Sequence, residues 1–180
     1  MSMVLFAVLF PEIAVAETRS ITVQVGKFPG PSGLPSDEYG LLELYCTEPR
    51  CDCRRVMFNV VSRAQNRQLA TINHAFELPA KDAAVPEQTF LDPLNVQSEW
   101  SNKLLDMVVK YILTDQKYSR RLERHYSMFK EVVNNPKHPQ FYKIRPYIDT
   151  LESEYGKVIS ETASWRVRQR IRERQRKRRN

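Results

Sequence analysis

Long apolar runs are scarce in this chain of 180 residues. The one that stands out, Met3 to Phe10, is far short of the roughly 20 residues that cross a bilayer as a helix. Glycine is sparse too, with five residues, four of them between Gly26 and Gly40. That sparsity excludes collagen-like and low-complexity architectures. Three cysteines are too few for a disulfide-dense secreted scaffold. Several catalytic signatures are also missing. There is no phosphate-cradling P-loop, no dinucleotide-binding glycine pattern and no nucleophile elbow. The zincin pair H-E-x-x-H and the zinc deaminase pattern H-x-E with P-C-x-x-C are absent as well. No acid–base pair stands out, and Asp92 before Pro93 reads as a turn former rather than a base. The chain is read as non-enzymatic.

What is present is an ordinary globular composition, 42% hydrophobic and 27% charged, enough to build one core. The net charge of +7 is unevenly placed. Nine basic residues and one acid, Glu173, lie between Ser164 and Asn180, so the rest of the chain is close to neutral. Three regions follow: an apolar arm over 1–19, one α+β domain over 20–165, and a basic tail over 166–180.

The arm, "MSMVLFAVLFPEIAVAETRS", partly imitates a signal peptide, with Ala14-Val15-Ala16 as a small-residue site. No Lys or Arg precedes the apolar run, and Pro11 and Glu12 interrupt it. The expectation is a short apolar strand or an arm packed on the body of a cytoplasmic protein, with a signal peptide for secretion and a start codon placed too far upstream as the other readings.

Ser20 to Val25 alternates β-branched and polar residues and predicts a strand. "LLELYC", "RRVMFNVVSR" and "LATINHAFEL" predict three more, with turn composition at "AQNRQ". Together they predict a small antiparallel sheet over about 20–78. From Ser98 the period changes to 3.6. Trp100, Leu104, Leu105, Val108, Val109 and Ile112 predict one amphipathic helix capped by Ser98. A second runs from about Asp115 to Val133, with Tyr118, Leu122, His125 or Tyr126, Phe129 and Val133 inward. "KHPQFYKIRP" reads as a connector. A third helix begins near Pro146, with Ile148, Leu151, Tyr155, Val158, Thr162 and Trp165 inward. These two or three helices, over about 98–165, are expected to cover one face of the sheet.

All three cysteines lie in "YCTEPRCDC", as Cys46, Cys51 and Cys53 at a strand-to-strand handover. Spacing of C-x4-C-x-C lets three thiolates converge on one ion. Tetrahedral zinc takes four ligands, and three cysteines with a histidine is a common set. His74, on the strand beyond, is the candidate fourth ligand. Arg50, Arg54 and Arg55 flank the cluster and favour thiolate over thiol. Two other readings stand beside a structural zinc knuckle: unligated thiols at a strand end, and a disulfide from Cys46 with one thiol left over. An open metalloenzyme site built on the same residues is the alternative function, as is an interaction subunit without metal.

Four blocks, "ELYCTEPRCDCRRVMFNVVSR", "ATINHAFELP", "FLDPLNVQSEW" and "RLERHYSMFKEVV", resemble blocks of uncharacterised bacterial proteins, some of them near SEC-C-type metal-binding motifs. The resemblance covers residues 39–133 at most. It implies kinship of fold and a link to metal, and no activity. The SEC-C pattern itself, C-x-C followed by C-C or C-H, is absent.

The tail reads "WRVRQRIRERQRKRRN". As a helix it carries arginine on nearly every side, which packing does not explain. Arginine forks pair with phosphates. Arg166, Arg168, Arg170, Arg172, Arg174, Arg176, Lys177, Arg178 and Arg179 are thus candidate contacts to RNA or DNA. An acidic protein partner would suit the same charge.

Overall fold

A computed structural model describes residues 2–24, 33–79 and 87–150. The fold is α+β: a small antiparallel sheet with helices against one face. The strands are β1 (Met3–Leu5), β2 (Arg19–Val23), β3 (Asp37–Cys46), β4 (Arg55–Ser62), β5 (Arg67–Ala75) and β6 (Thr89–Leu91). The helices are α1 (Phe6–Leu9), α2 (Pro11–Glu17), α3 (Ser101–Met107) and α4 (Gln116–Asn134), with a further helix, α5, over 141–150. Every pairing is antiparallel, in the order β3–β4–β5–β6. The free edge of β3 is shared: β2 pairs its first half and β1 its last.

β1 pairing extends the sheet beyond the predicted 20–78 span. Val4 sits opposite Tyr45 and Met3 opposite Cys46, so residues before Ser20 form part of the sheet. Phe6 and Leu9 are buried in the core. Residues 3–5 thus add a short apolar strand to the edge of β3, and β2 begins at Arg19.

Alternation sets the covered face. On β3, Tyr39, Leu41, Glu43 and Tyr45 point one way and are buried, while Gly40 and Leu42 point the other and stay partly exposed. The register carries this face to Val56, Phe58 and Val60, and onward to Ala70, Ile72 and His74. α4 supplies Tyr118, Leu122, Phe129 and Val133 to it, the stripe read from the sequence. Asp115 caps α4, its carboxylate accepting from the Lys117 and Tyr118 amides.

Two helical details differ from expectation. The first helix starts at Ser101, and Ser98 lies outside it, its hydroxyl accepting from the Trp100 amide. Past Met107 the helix widens to a π-turn over Val108–Ile112. The buried stripe runs through Leu104, Met107, Val108 and Ile112, and Val109 falls outside it and is exposed. The stretch read as a connector is helical from 141, with Ile144 and Ile148 buried. Leu151, Tyr155, Val158, Thr162 and Trp165 lie outside the described residues, as does the tail over 166–180.

Candidate metal centre

The β3–β4 connection, residues 47–54, carries the thiols. Glu48 and Cys51 close a tight turn through the Cys51 amide at 3.3 Å. Arg50 and Arg54 both adopt left-handed backbone, at φ 62° and 39°. Left-handed backbone at a non-glycine residue costs roughly 1–2 kcal/mol, so something must hold the loop. The Arg50 amide donates to Asn134 Oδ1 at 2.9 Å, at the end of α4. The Arg54 guanidinium pairs with Glu77 at 2.7 Å and Glu123 at 3.5 Å, and lies over the Phe76 and Tyr126 rings. The Phe76 amide bonds the Arg54 carbonyl at 3.0 Å. The loop is thus fastened to the sheet on one side and to α4 on the other.

This fastening brings the three sulfurs within 4.8 Å of one another. Tetrahedral zinc with bonds of about 2.3 Å needs sulfurs about 3.8 Å apart, so the loop would contract by no more than about 1 Å. Cys46 is buried, and Cys51 and Cys53 are half-buried. No pair is bridged.

Cys46 and Cys53 are shifted in opposite directions. Cys53 donates to the Cys46 sulfur, burial opposes ionisation, and the Glu48 amide and the Lys130 ammonium favour it; the Cys46 thiol is held down at about 6. Cys53 is pushed far up for the matching reason, as the donor beside a thiolate. Lys130 was not foreseen. It is buried on α4 with its Nζ donating to the Glu48 carbonyl at 2.8 Å, and it brings the nearby cation expected from the loop arginines.

His74 does not join the sulfurs. It lies on the helix-covered face of β5 opposite Val56, and its Nδ1 bonds the Thr89 hydroxyl at 2.8 Å. The expected fourth ligand is therefore not at the centre. Asp52 and Glu48 are outside the group as well. His125 and His138 belong to other contacts: His125 bonds Glu43, and His138 Nδ1 accepts from the Gln140 amide. Every cysteine and histidine of the chain falls within the described residues. The group that could hold an ion is three sulfurs, with no histidine of the chain beside them.

His74 carries a pH signature of its own. Burial pushes its imidazole down to about 4, against an ordinary 6.5. The unfolded chain takes up this proton first as pH falls. Stability is therefore full above 6.5 and drains between 6.5 and 4, by roughly 3 kcal/mol in all. Denaturant midpoints measured down this range should fall in the wild type, and fall distinctly less in His74→Gln.

A second buried polar cluster was not foreseen at all. On α4, His125 donates from Nδ1 to Glu43 Oε2 at 2.7 Å, and its Nε2 is 3.1 Å from Glu17 Oε2. Tyr45 donates to the same Glu43 oxygen at 2.8 Å. Phe6 stacks on the His125 ring at 4.2 Å. Glu17 also pairs with Arg124 and, at 3.3 Å, with Arg121. Partial burial works to raise the Glu17 carboxyl, but Arg124 and His125 outweigh it and hold it below its ordinary 4.5. The cluster ties α2 to α4. Its clue in the sequence was a charge, Glu43, in the inward phase of Leu41-x-Glu43-x-Tyr45.

Asp92 proves fully engaged in a turn, accepting from the Leu94 amide, Asn95 and Asn73. No helix of the described residues is long and apolar enough to cross a membrane. No family model matches the chain, and no curated protein or solved structure does so either.

Proposed function

We propose that the protein is a non-enzymatic binding module in which Cys46, Cys51 and Cys53 hold one zinc ion and the tail from Arg166 to Arg179 contacts nucleic acid. The observation that carries the metal half is the convergence of the three sulfurs within 4.8 Å on a loop pinned from both sides. Three thiolates suit a soft or borderline ion such as zinc over magnesium or calcium. The fourth ligand comes from solvent or from a partner, because no other cysteine or histidine stands at the centre. The metal fixes a loop whose backbone is otherwise strained at Arg50 and Arg54.

The tail half rests on composition: nine cations in the last fifteen residues, opposed by Glu173 alone. Phosphate contacts of this kind give binding that weakens steeply with salt and shows little sequence preference.

Elemental analysis of protein purified without chelator or affinity nickel tests the first half. The expected content is near one zinc per chain; a few tenths or less removes the metal reading. Deletion of residues 166–180 tests the second. Duplex binding at matched salt should drop steeply, and the slope of log affinity against log salt should flatten by about 0.9 per lost phosphate contact. A truncated chain that binds RNA and DNA as well as the intact one would assign binding to the body. An intact chain that binds neither would favour an acidic protein partner.

A further inference from the structure

The buried carboxylate of Glu43 is only half used. Its side chain is 5% exposed, and Oε2 accepts from both Tyr45 and His125. Oε1 has no partner. A buried acceptor left empty is unusual in a folded protein and calls for an occupant.

Glu43 and His125 line a cavity of about 60 Å³. Leu5, Phe6 and Ala14 of the arm line it too, together with Leu42 of β3. Its remaining polar groups are committed. Both His125 nitrogens face Glu43 and Glu17, and the Thr18 hydroxyl donates to the Ala14 carbonyl at 2.6 Å. Among the side-chain atoms that line it, the spare function is an acceptor, which a donor would satisfy.

Desolvation decides what kind of donor. Glu17 meets Arg121, Arg124 and the His125 ring, whereas Glu43 meets His125 and Tyr45 alone. An ammonium entering among leucine, phenylalanine and alanine would exchange its hydration for one oxygen, while a neutral hydroxyl needs only one acceptor. Size and polarity decide the rest. One water needs at least about 10–15 Å³, so about 60 Å³ leaves room for a molecule of a few heavy atoms. Several waters could not each find two polar partners against one free oxygen and walls of leucine, phenylalanine and alanine. A short apolar body would displace them at little cost in hydrogen bonds.

We propose that this cavity is a binding pocket for a small neutral hydroxyl compound, a short aliphatic alcohol in chemical class, whose O–H donates to Glu43 Oε1. The site is separate from the thiol loop and does not depend on metal.

The test is an amide chemical-shift titration of the full chain with 1-propanol, with n-propylammonium and propionate as probes of equal length. Propanol should give saturable shifts centred on Leu5, Phe6, Glu43 and His125. The ammonium should bind about tenfold more weakly or worse, and propionate not at all. Ala14→Leu, which fills the cavity from α2, should abolish the propanol response. Should that variant fail to fold, Ala7→Leu at the exposed rim of the same cavity should do the same. Non-saturable shifts spread over the surface would leave water as the only occupant and overturn the proposal. So would an unchanged response in the filled variant that folds, or tighter binding of the ammonium.

Discussion

Alanine at His125 should lower the stability of the domain by about 2–3 kcal/mol, the loss typical of removing one partner from a buried hydrogen-bonded group. The ring is 1% exposed and its Glu43 partner 5%. Truncation leaves Glu43 Oε2 with Tyr45 alone, leaves Glu17 without its inner contact, and removes the stack with Phe6. By contrast the Arg145–Asp149 pair, 70% and 60% exposed, should contribute at most about 1 kcal/mol. Denaturant unfolding of His125→Ala and Asp149→Ala compares the two directly; equal losses would sink the ranking. The double variant Glu43→Leu/His125→Leu should be less harmed than His125→Ala, since apolar replacement removes both desolvated groups together. The same cluster gives the arm its acid sensitivity. The Glu17 carboxyl is depressed in the folded state, so its contribution is full above about 4.5 and is lost progressively as pH falls below that, through the lower folded-state value.

The second large effect concerns the thiols. Cys46→Ser should lower zinc affinity by about 100-fold or more, exceeding the 10–100-fold typical of losing a mere outer partner of a ligand. Cys46 is the anchor: it ends β3, is fully buried, and receives both the Glu48 amide and the Cys53 thiol. Cys53→Ser should also weaken zinc. Its smaller apo-state cost follows from its half-buried place in the loop. A competition titration with a chromophoric chelator reads both affinities. Unchanged binding in Cys46→Ser would remove this residue from the site. His74→Gln should leave affinity unchanged, which separates the present geometry from a three-cysteine, one-histidine set.

Much of this architecture was legible in the sequence because periodicity reports burial. The strands at "LLELYC", "RRVMFNVVSR" and "LATINHAFEL" and the α4 stripe are set by side-chain alternation, which local sequence records. Val109 is apolar yet lies off the stripe through Leu104, Val108 and Ile112, and its residue type does not reveal that it faces outward. The convergence of Cys46, Cys51 and Cys53 was legible because all three lie within one short loop. His74 was misjudged for a two-dimensional reason. Lying on the neighbouring strand does not fix which side of the sheet a ring meets, and the pairing of His74 with Val56 turns it toward the helices. Lys130 and the Glu17–Glu43–His125 cluster were invisible for a different reason. Their partners are separated by 82 to 108 residues, and only the docking of the arm and α4 onto β3 brings them together.

The central claim is a metal centre built of three sulfurs and one outside ligand. X-ray absorption at the zinc edge on the metal-loaded full chain tests it most directly. The expected spectrum fits three sulfurs at about 2.3 Å and one lighter atom at about 2.0–2.2 Å that exchanges with added thiol or imidazole. A shell of nitrogen and oxygen alone, or a preparation that retains no zinc, would contradict it.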